Sequence, residues 1–195
     1  MKKIVWVLAL LMVMPLGVQA QEKMEREGAV TMRGEPVTLI GPEIKAGQPA
    51  PDFTVQANDL SDVSLAGLKG RVKLIASVPS VDTRVCDLEI RRFNEEAANL
   101  SENMSVLIVS MDLPFAQRRF CAAEGIENVQ TLSDHRTAEF GERYGVLMKD
   151  SRLLARAVFV IDENDVVRHV EYVKDTGQHP DYDAALGALR EIAGK

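Results

Sequence analysis

The stretch that decides the fold is Val78-Pro79-Ser80-Val81-Asp82-Thr83-Arg84-Val85-Cys86. The largely apolar run that ends in it, residues 72–78, is short, rich in β-branched residues and bounded by turn residues, which predicts a buried strand. Pro79 ends that strand. Asp82 or Thr83 can cap a following helix, because each offers a side-chain oxygen to unpaired backbone N–H groups. The stretch therefore predicts a strand, a tight loop and the start of a helix.

The predicted helix places a cysteine in its first turn. Its apolar residues recur at spacings of three and four and form one stripe: Cys86, Ile90, Phe93, Ala97 and Leu100. A helix N terminus carries positive partial charge and N–H groups without intrahelical partners. Both features favour the thiolate, which is the nucleophilic form of cysteine. Cys86 is therefore a candidate nucleophile on the inward face of its helix.

Two neighbours of Cys86 strengthen this interpretation. Thr83 lies three residues earlier and can reach the sulfur with its hydroxyl, and Arg84 adds positive charge nearby. The alternative is an inert cysteine that only packs in the core, which is the commoner fate of a free cysteine. The position at the helix start and the local charge favour the reactive cysteine.

Three motifs, in order, carry a resemblance to a known family. Residues 79–86 read P-S-V-D-T-R-V-C, residues 112–121 read D-L-P-F-A-Q-R-R-F-C, and residues 155–162 read A-R-A-V-F-V-I-D. They resemble P-S-x-D-T-x-V-C, D-L-P-F-A-Q-x-R-F-C and A-R-A-V-x-V-I-D of the thiol peroxidases, the atypical two-cysteine branch of the peroxiredoxins. The likeness runs from about Val30 to the C terminus, and three ordered motifs are far more specific than one short match.

The resemblance implies a role for each matching residue. Cys86 would be the peroxidatic cysteine, and Cys121 the resolving cysteine that forms an intramolecular Cys86–Cys121 disulfide. Arg156 would reach across to Cys86, Thr83 would act beside it on the thiolate and the peroxide, and Pro79 would line the substrate pocket. The family likeness further implies hydrogen peroxide and organic hydroperoxides as substrates, thioredoxin or a thioredoxin-like dithiol protein as the reductant, and a homodimer.

The residues themselves place the two cysteines asymmetrically. Pro114 starts a short predicted helix that Gly125 ends, so Cys121 lies near a negative helix terminus, and Glu124 adds charge of the same sign. Both oppose a thiolate there. From the residues alone, a bridge to Cys86 could equally be a permanent staple worth roughly 3–4 kcal/mol. The alternative function is therefore a secreted thioredoxin-like binding module whose Cys86–Cys121 disulfide is only structural.

The order of the predicted elements indicates the fold class. A strand at residues 72–78, the helix after it and a strand at residues 106–110 form a parallel crossover unit. Further predictions are a hairpin of residues 29–33 and 36–40, a second hairpin of residues 156–161 and 166–172, and a last helix at residues 180–192. This pattern predicts an α/β protein with a central mixed β-sheet flanked by helices and an N-terminal β-hairpin. It agrees with the thioredoxin-like fold that the resemblance implies.

The first twenty residues predict a secretory signal peptide. Lys2 and Lys3 precede an apolar run, residues 4–16, and Val18-Gln19-Ala20 is a small-x-small cleavage site. The apolar run is shorter than the roughly 20 residues of a transmembrane helix, which makes an uncleaved anchor the weaker alternative. We therefore predict an exported, periplasmic protein without stable membrane association after cleavage.

The remaining chain is predicted to form one domain, residues 29–195, after a charged, flexible leader at residues 21–28. Loss of residues 1–20 removes two lysines and no acid, which takes the formal net charge from −6 to −8. An acidic mature chain argues against nucleic acid as a partner. Its three widely spaced histidines and the lack of a phosphate-binding loop predict neither a metal site nor a cofactor.

Overall fold

The computed structural model describes residues 23–101 and 103–193. The predicted signal peptide, residues 1–20, lies outside the described residues, as do the first two residues of the predicted leader. The strands are β1 (Glu25–Met32), β2 (Glu35–Ile40), β3 (Thr54–Ala57), β4 (Asp62–Ser64), β5 (Val72–Ser77), β6 (Met104–Ser110), β7 (Gln130–Ser133), β8 (Leu147–Met148), β9 (Ala157–Ile161) and β10 (Val167–Tyr172). The helices are α1 (Arg84–Ala97), α2 (Pro114–Glu124), α3 (Glu139–Arg143) and α4 (Tyr182–Ala193), with a 3₁₀ turn at Ala66–Leu68. None of the helices in these ranges is long and apolar enough to span a membrane.

The central sheet is mixed and has seven strands in the order β10-β9-β5-β6-β7-β3-β4. β5 pairs in parallel with β6, and β6 pairs in parallel with β7. The outer pairs are antiparallel, including β9 against β5. A second sheet of three strands joins the β1–β2 hairpin to β8. The predicted α/β class, the mixed sheet with flanking helices and the N-terminal hairpin are thus confirmed.

Alternation along the central strands divides the core into two layers. Every residue of β5 is buried, as expected for a strand covered by packing on both faces. Leu74 and Ala76 point into one layer together with Cys86, whereas Ile75 points into the other. The layer that contains Cys86 is completed by apolar side chains of α1 and α4. The candidate nucleophile is therefore part of a packed core layer.

The first strand differs from the sequence prediction at its start. β1 begins at Glu25, four residues before the predicted Ala29, so the second half of the predicted leader belongs to the hairpin. Main-chain pairing with β2 extends that far, and the Arg26 guanidinium donates to the Gly41 carbonyl at 3.1 Å and to the carbonyl of Gly145. Only main-chain groups and the Arg26 side chain make these contacts. The sequence therefore shows no apolar alternation that would predict the earlier strand start.

Candidate active site

The candidate site lies at the carboxyl ends of the parallel strands β5 and β6. The loop of residues 78–83 leaves β5 at this edge and leads into α1. Pro79 is buried at the start of the loop. Cys86 lies in the first turn of α1 and has no exposed surface. Because the Cys86 sulfur has no contact with solvent, its reactivity depends on the protein groups around it.

Thr83 occupies the helix N-cap position but does not cap the helix with its side chain. Its backbone is extended, with φ −96° and ψ 142°, and its carbonyl accepts the amide of Asp87 at 2.9 Å. The Thr83 hydroxyl instead donates to the Cys86 sulfur at 2.8 Å. The helix begins where the sequence predicts. Of the two roles that the sequence allows the Thr83 hydroxyl, capping the helix or contacting the sulfur, the structure shows the contact with the sulfur.

Arg156 reaches the same sulfur from the opposite strand. It directly precedes β9, whose first residue, Ala157, is paired with Ser77 at the end of β5. This register brings Arg156 to the loop that follows β5. Its Nη2 lies 3.3 Å from the Cys86 sulfur, and its side chain is almost completely buried. The Thr176 carbonyl accepts from Nε at 3.2 Å and from Nη2 at 3.1 Å, which fixes the guanidinium plane.

Glu89 is a component of the site that the sequence interpretation missed. It lies on α1 one turn after Cys86, has no exposed surface, and accepts a hydrogen bond from Nη1 of Arg156. Its second oxygen, Oε1, has no hydrogen-bond partner among the described residues. The available signal was a charged residue three positions after Cys86, beside the apolar stripe of the helix.

Burial shapes the charges of this cluster. Burial raises the pKa of the Glu89 carboxyl to about 7, against the opposing effect of Arg156. Burial disfavours the Arg156 cation, but the nearby Glu89 and Cys86 charges outweigh it and raise the pKa of Arg156. Burial also raises the pKa of Tyr182, whose hydroxyl is 2.7 Å from Nδ1 of His179. The Arg156 guanidinium thus contacts both Glu89 and Cys86 in a buried setting.

Cys121 lies on α2, against β7. Its sulfur is 3.3 Å from Oγ1 of Thr131, and Nδ2 of Asn58 donates to that oxygen at 2.8 Å. Because the threonine oxygen accepts from Asn58, its own hydrogen can be directed at the sulfur. Cys121 is partly exposed and lines an open groove of about 560 Å³. Sequence reasoning gave no signal for the Thr131 contact, since it joins two separate elements.

The two cysteines are unbonded and belong to different parts of the sheet surface. Cys86 contacts Arg156 at the start of β9, whereas Cys121 contacts Thr131 on β7. In the order β9-β5-β6-β7, those strands are three spacings apart, which is about 14 Å. A disulfide requires Cα atoms about 4.4–6.8 Å apart. The residues that contact the two sulfurs thus lie on strands farther apart than a disulfide spans.

A surface ion-pair cluster joins the two helices that carry the cysteines. Arg91 of α1 lies 2.6 Å from an Asp87 oxygen and also contacts the Glu124 carboxylate of α2. Arg91 therefore bridges α1 to α2 at the surface.

The Glu89 carboxyl should make stability depend on pH. Between about pH 4.5 and pH 7 the folded carboxyl keeps a proton that the unfolded carboxyl releases, so the free energy of unfolding should fall as pH rises. Relative to Glu89→Gln, the reduced wild-type protein should lose roughly 3 kcal/mol between pH 4.5 and pH 8. Urea unfolding at several pH values measures this difference.

The exposed Glu95 on the same helix provides a matched control. Glu95→Gln should keep the pH dependence of the wild-type protein, because its carboxyl stays in water. Equal pH dependence of the wild type and Glu89→Gln would show that Glu89 ionises in the folded protein as it does in the unfolded chain.

The family model and the most similar curated proteins point to the same family. Residues 45–186 match the family model described as Redoxin. A thiol peroxidase of Oceanobacillus iheyensis is 58% identical over 162 residues, covering 83% of this chain and 98% of that protein. A thiol peroxidase of Bacillus subtilis is 53% identical over 163 residues, covering 84% and 97%.

Solved structures give the same result. A peroxiredoxin-like protein from Aquifex aeolicus superposes with a TM-score of 0.80 at 43% identity, over 85% of this chain and 97% of that chain. A thiol peroxidase from Chromobacterium violaceum gives a TM-score of 0.75 at 25% identity, over the same two shares. The sequence relatives and the shared fold agree, and this chain belongs to the thiol peroxidases, enzymes of the Redoxin family.

Proposed function

We propose that this chain reduces hydrogen peroxide and organic hydroperoxides through a sulfenic acid on Cys86 and an intramolecular Cys86–Cys121 disulfide. The observation that carries the proposal is the Cys86 sulfur, buried at a helix N terminus between the Thr83 hydroxyl and the Arg156 guanidinium. Both groups donate hydrogen bonds to the sulfur, and both are therefore better partners for a thiolate than for a thiol.

In the first step the Cys86 thiolate attacks the terminal oxygen of the hydroperoxide. A sulfur–oxygen bond forms, the O–O bond breaks, and the departing oxygen takes a proton and leaves as an alcohol or as water. Sulfur loses two electrons and becomes the sulfenic acid. Pro79 forms a buried wall beside this reaction as part of the proposed substrate pocket.

Thr83 and Arg156 support this step by electrostatics and orientation. Negative charge moves from the sulfur to the departing oxygen, so donors that bridge both atoms stabilise the transition state more than the ground state. The guanidinium offers several N–H donors in one plane, and its contacts with Glu89 and Thr176 keep that plane in place before peroxide arrives.

In the second step Cys121 resolves the sulfenic acid. Its sulfur bonds to the Cys86 sulfur and the sulfenic oxygen leaves as water, which gives the intramolecular disulfide. Two electrons and two protons from an external dithiol protein then restore both thiols. Thioredoxin, or a thioredoxin-like donor in the exported compartment, has the required chemistry for this exchange.

Two further parts of the proposal concern assembly and location. The apolar side chains of Leu88, Leu113 and Phe115 are about half exposed, at 46%, 52% and 46%, and lie on or directly before the helices that carry the two cysteines. Apolar surface of this kind supports a homodimer that covers it. The signal-like residues 1–20 support export to the periplasm with cleavage before Gln21.

The division of labour between the cysteines can be tested by serine variants. Cys86→Ser should abolish peroxide reduction, because it removes the nucleophile. Cys121→Ser should consume about one equivalent of peroxide and then stop as the sulfenic acid. Peroxide consumption, with mass spectrometry of the products, follows both variants. Turnover by Cys86→Ser, together with loss of the first equivalent in Cys121→Ser, would reverse the assigned roles.

Disulfide formation should loosen the two cysteine-bearing segments. The first turn of α1 and the helix α2 must leave their resting positions for the sulfurs to meet, so amide exchange in residues 84–90 and 114–124 should accelerate on oxidation. Hydrogen exchange of the reduced and the oxidised protein measures this change. Unchanged protection in both segments would mean that the disulfide forms without local unfolding.

Export should remove the first twenty residues. The mature protein should begin at Gln21 and should contain no tryptophan, because Trp6 is the only one in the chain. Mass spectrometry of protein from the native source measures the terminus. A mature protein with an intact Met1 terminus would contradict cleavage and would favour the uncleaved anchor.

A further inference from the structure

One carboxylate ties the Cys86 loop to the end of the neighbouring strand. Asp112 follows β6, and its Oδ1 accepts the hydroxyl of Ser80 at 2.8 Å. Its Oδ2 accepts the amide of Val81 and the hydroxyl of Ser110, each at 2.8 Å. Three donors from two chain segments therefore converge on one side chain. The loop that leads from β5 to Thr83 and Cys86 is anchored at this point.

The same hydrogen-bond chain continues into α2. Ser110 uses its hydroxyl hydrogen on Asp112, and its oxygen accepts from Nε2 of Gln117 at 2.9 Å. Gln117 also donates to the Leu132 carbonyl of β7 at 2.8 Å. It lies one helical turn before Cys121, on the same side of α2. A continuous chain of hydrogen bonds thus joins the loop of one cysteine to the helix of the other.

The buried position of Gln117 is unfavourable for the stability of the fold. Its side chain has no exposed surface, and its Oε1 has no hydrogen-bond partner among the described residues. A buried polar atom without a partner destabilises a fold. An apolar side chain would avoid that loss, so the contribution of the glutamine is its pair of donated bonds to Ser110 and Leu132.

We propose that Gln117, Ser110 and Asp112 form a relay that positions the Cys86 loop and couples its displacement to loosening of the helix that carries Cys121. Asp112 is a positioning residue, since it holds the loop that presents Thr83 to the Cys86 sulfur. When the first turn of α1 moves, the Ser80 and Val81 donors leave Asp112. Its carboxylate is then free to turn away from Ser110, and Gln117 loses its oriented acceptor.

The functional consequence rests on the proposed Cys86–Cys121 disulfide. Both cysteines must leave their resting positions for that bond to form. With the relay, release of one segment lowers the free energy needed to release the other, and the coupling acts equally in both directions. The two segments then open together, and they close together when the disulfide is reduced.

The test uses Gln117→Met, which keeps an unbranched side chain of similar length but removes both donors. Amide exchange is measured on the reduced protein without peroxide. Exchange in residues 80–86 should accelerate by about twofold to tenfold, the factor for one net hydrogen bond. The side chain of Gln117 donates only to Ser110 and to Leu132 in the described structure, so this effect would have to pass through Asp112.

Ala122→Gly is the matched control. Ala122 is exposed on the same helix, and glycine weakens the helix without touching the relay. Exchange in this variant should accelerate within residues 114–124 and stay unchanged in residues 80–86. The rate constant of the first reaction with hydrogen peroxide should fall in Gln117→Met, where the hold on Thr83 is weakened, and should stay unchanged in Ala122→Gly.

Asp112→Asn tests the coupling from the other end and serves if Gln117→Met does not fold. The amide cannot accept all three donors, so exchange should accelerate in residues 114–124 as well as in residues 80–86. Faster exchange confined to residues 114–124 in Gln117→Met, or confined to residues 80–86 in Asp112→Asn, would overturn the relay. The two proposals can fail separately. If exchange accelerates in both segments of the variants but the peroxide-treated wild-type protein forms no disulfide, the relay is supported and the proposed function is contradicted.

Discussion

The candidate site depends on one buried cation. Arg156 has almost no exposed surface, and its guanidinium contacts the Cys86 sulfur, the Glu89 carboxyl and the Thr176 carbonyl. Removing such a cation from water is expensive unless its donors are used by well-placed acceptors. The fold supplies these acceptors from α1 and from the segment after β10. The positive charge beside the sulfur is therefore stabilised by Glu89 and Thr176.

The strand arrangement explains why these groups meet. β5 and β6 run in parallel and deliver their following loops to one edge, while the antiparallel β9 brings Arg156 to that edge from the opposite direction. Membership of the thiol peroxidases decides against the alternative of a binding module. The sheet therefore acts as a shared platform for the elements that carry the site residues.

The local structure around Cys86 could be predicted from the pattern of residues that are close together in the sequence. The strand, loop and helix around Cys86 follow from β-branched residues, one proline and a period of three to four. Arg156 was assigned by family resemblance, because nothing local distinguishes it from a solvated strand end. Glu89 and the bridge from Arg91 to α2 were missed, since each depends on a partner distant in sequence. The early start of β1 was missed because the main-chain contacts that extend the strand leave no apolar pattern in the sequence.

The complete burial of Cys86 has a consequence for selectivity. A sulfur without exposed surface can be approached only by a molecule small enough to enter when the surrounding side chains fluctuate. A hydroperoxide presents a narrow O–O group at its end, whereas thiol-modifying electrophiles and mixed disulfides present bulky reactive centres. Packing density thus acts as a steric filter. In the proposed reaction this filter acts on the sulfur by shape, independently of how strongly the site binds any of these molecules.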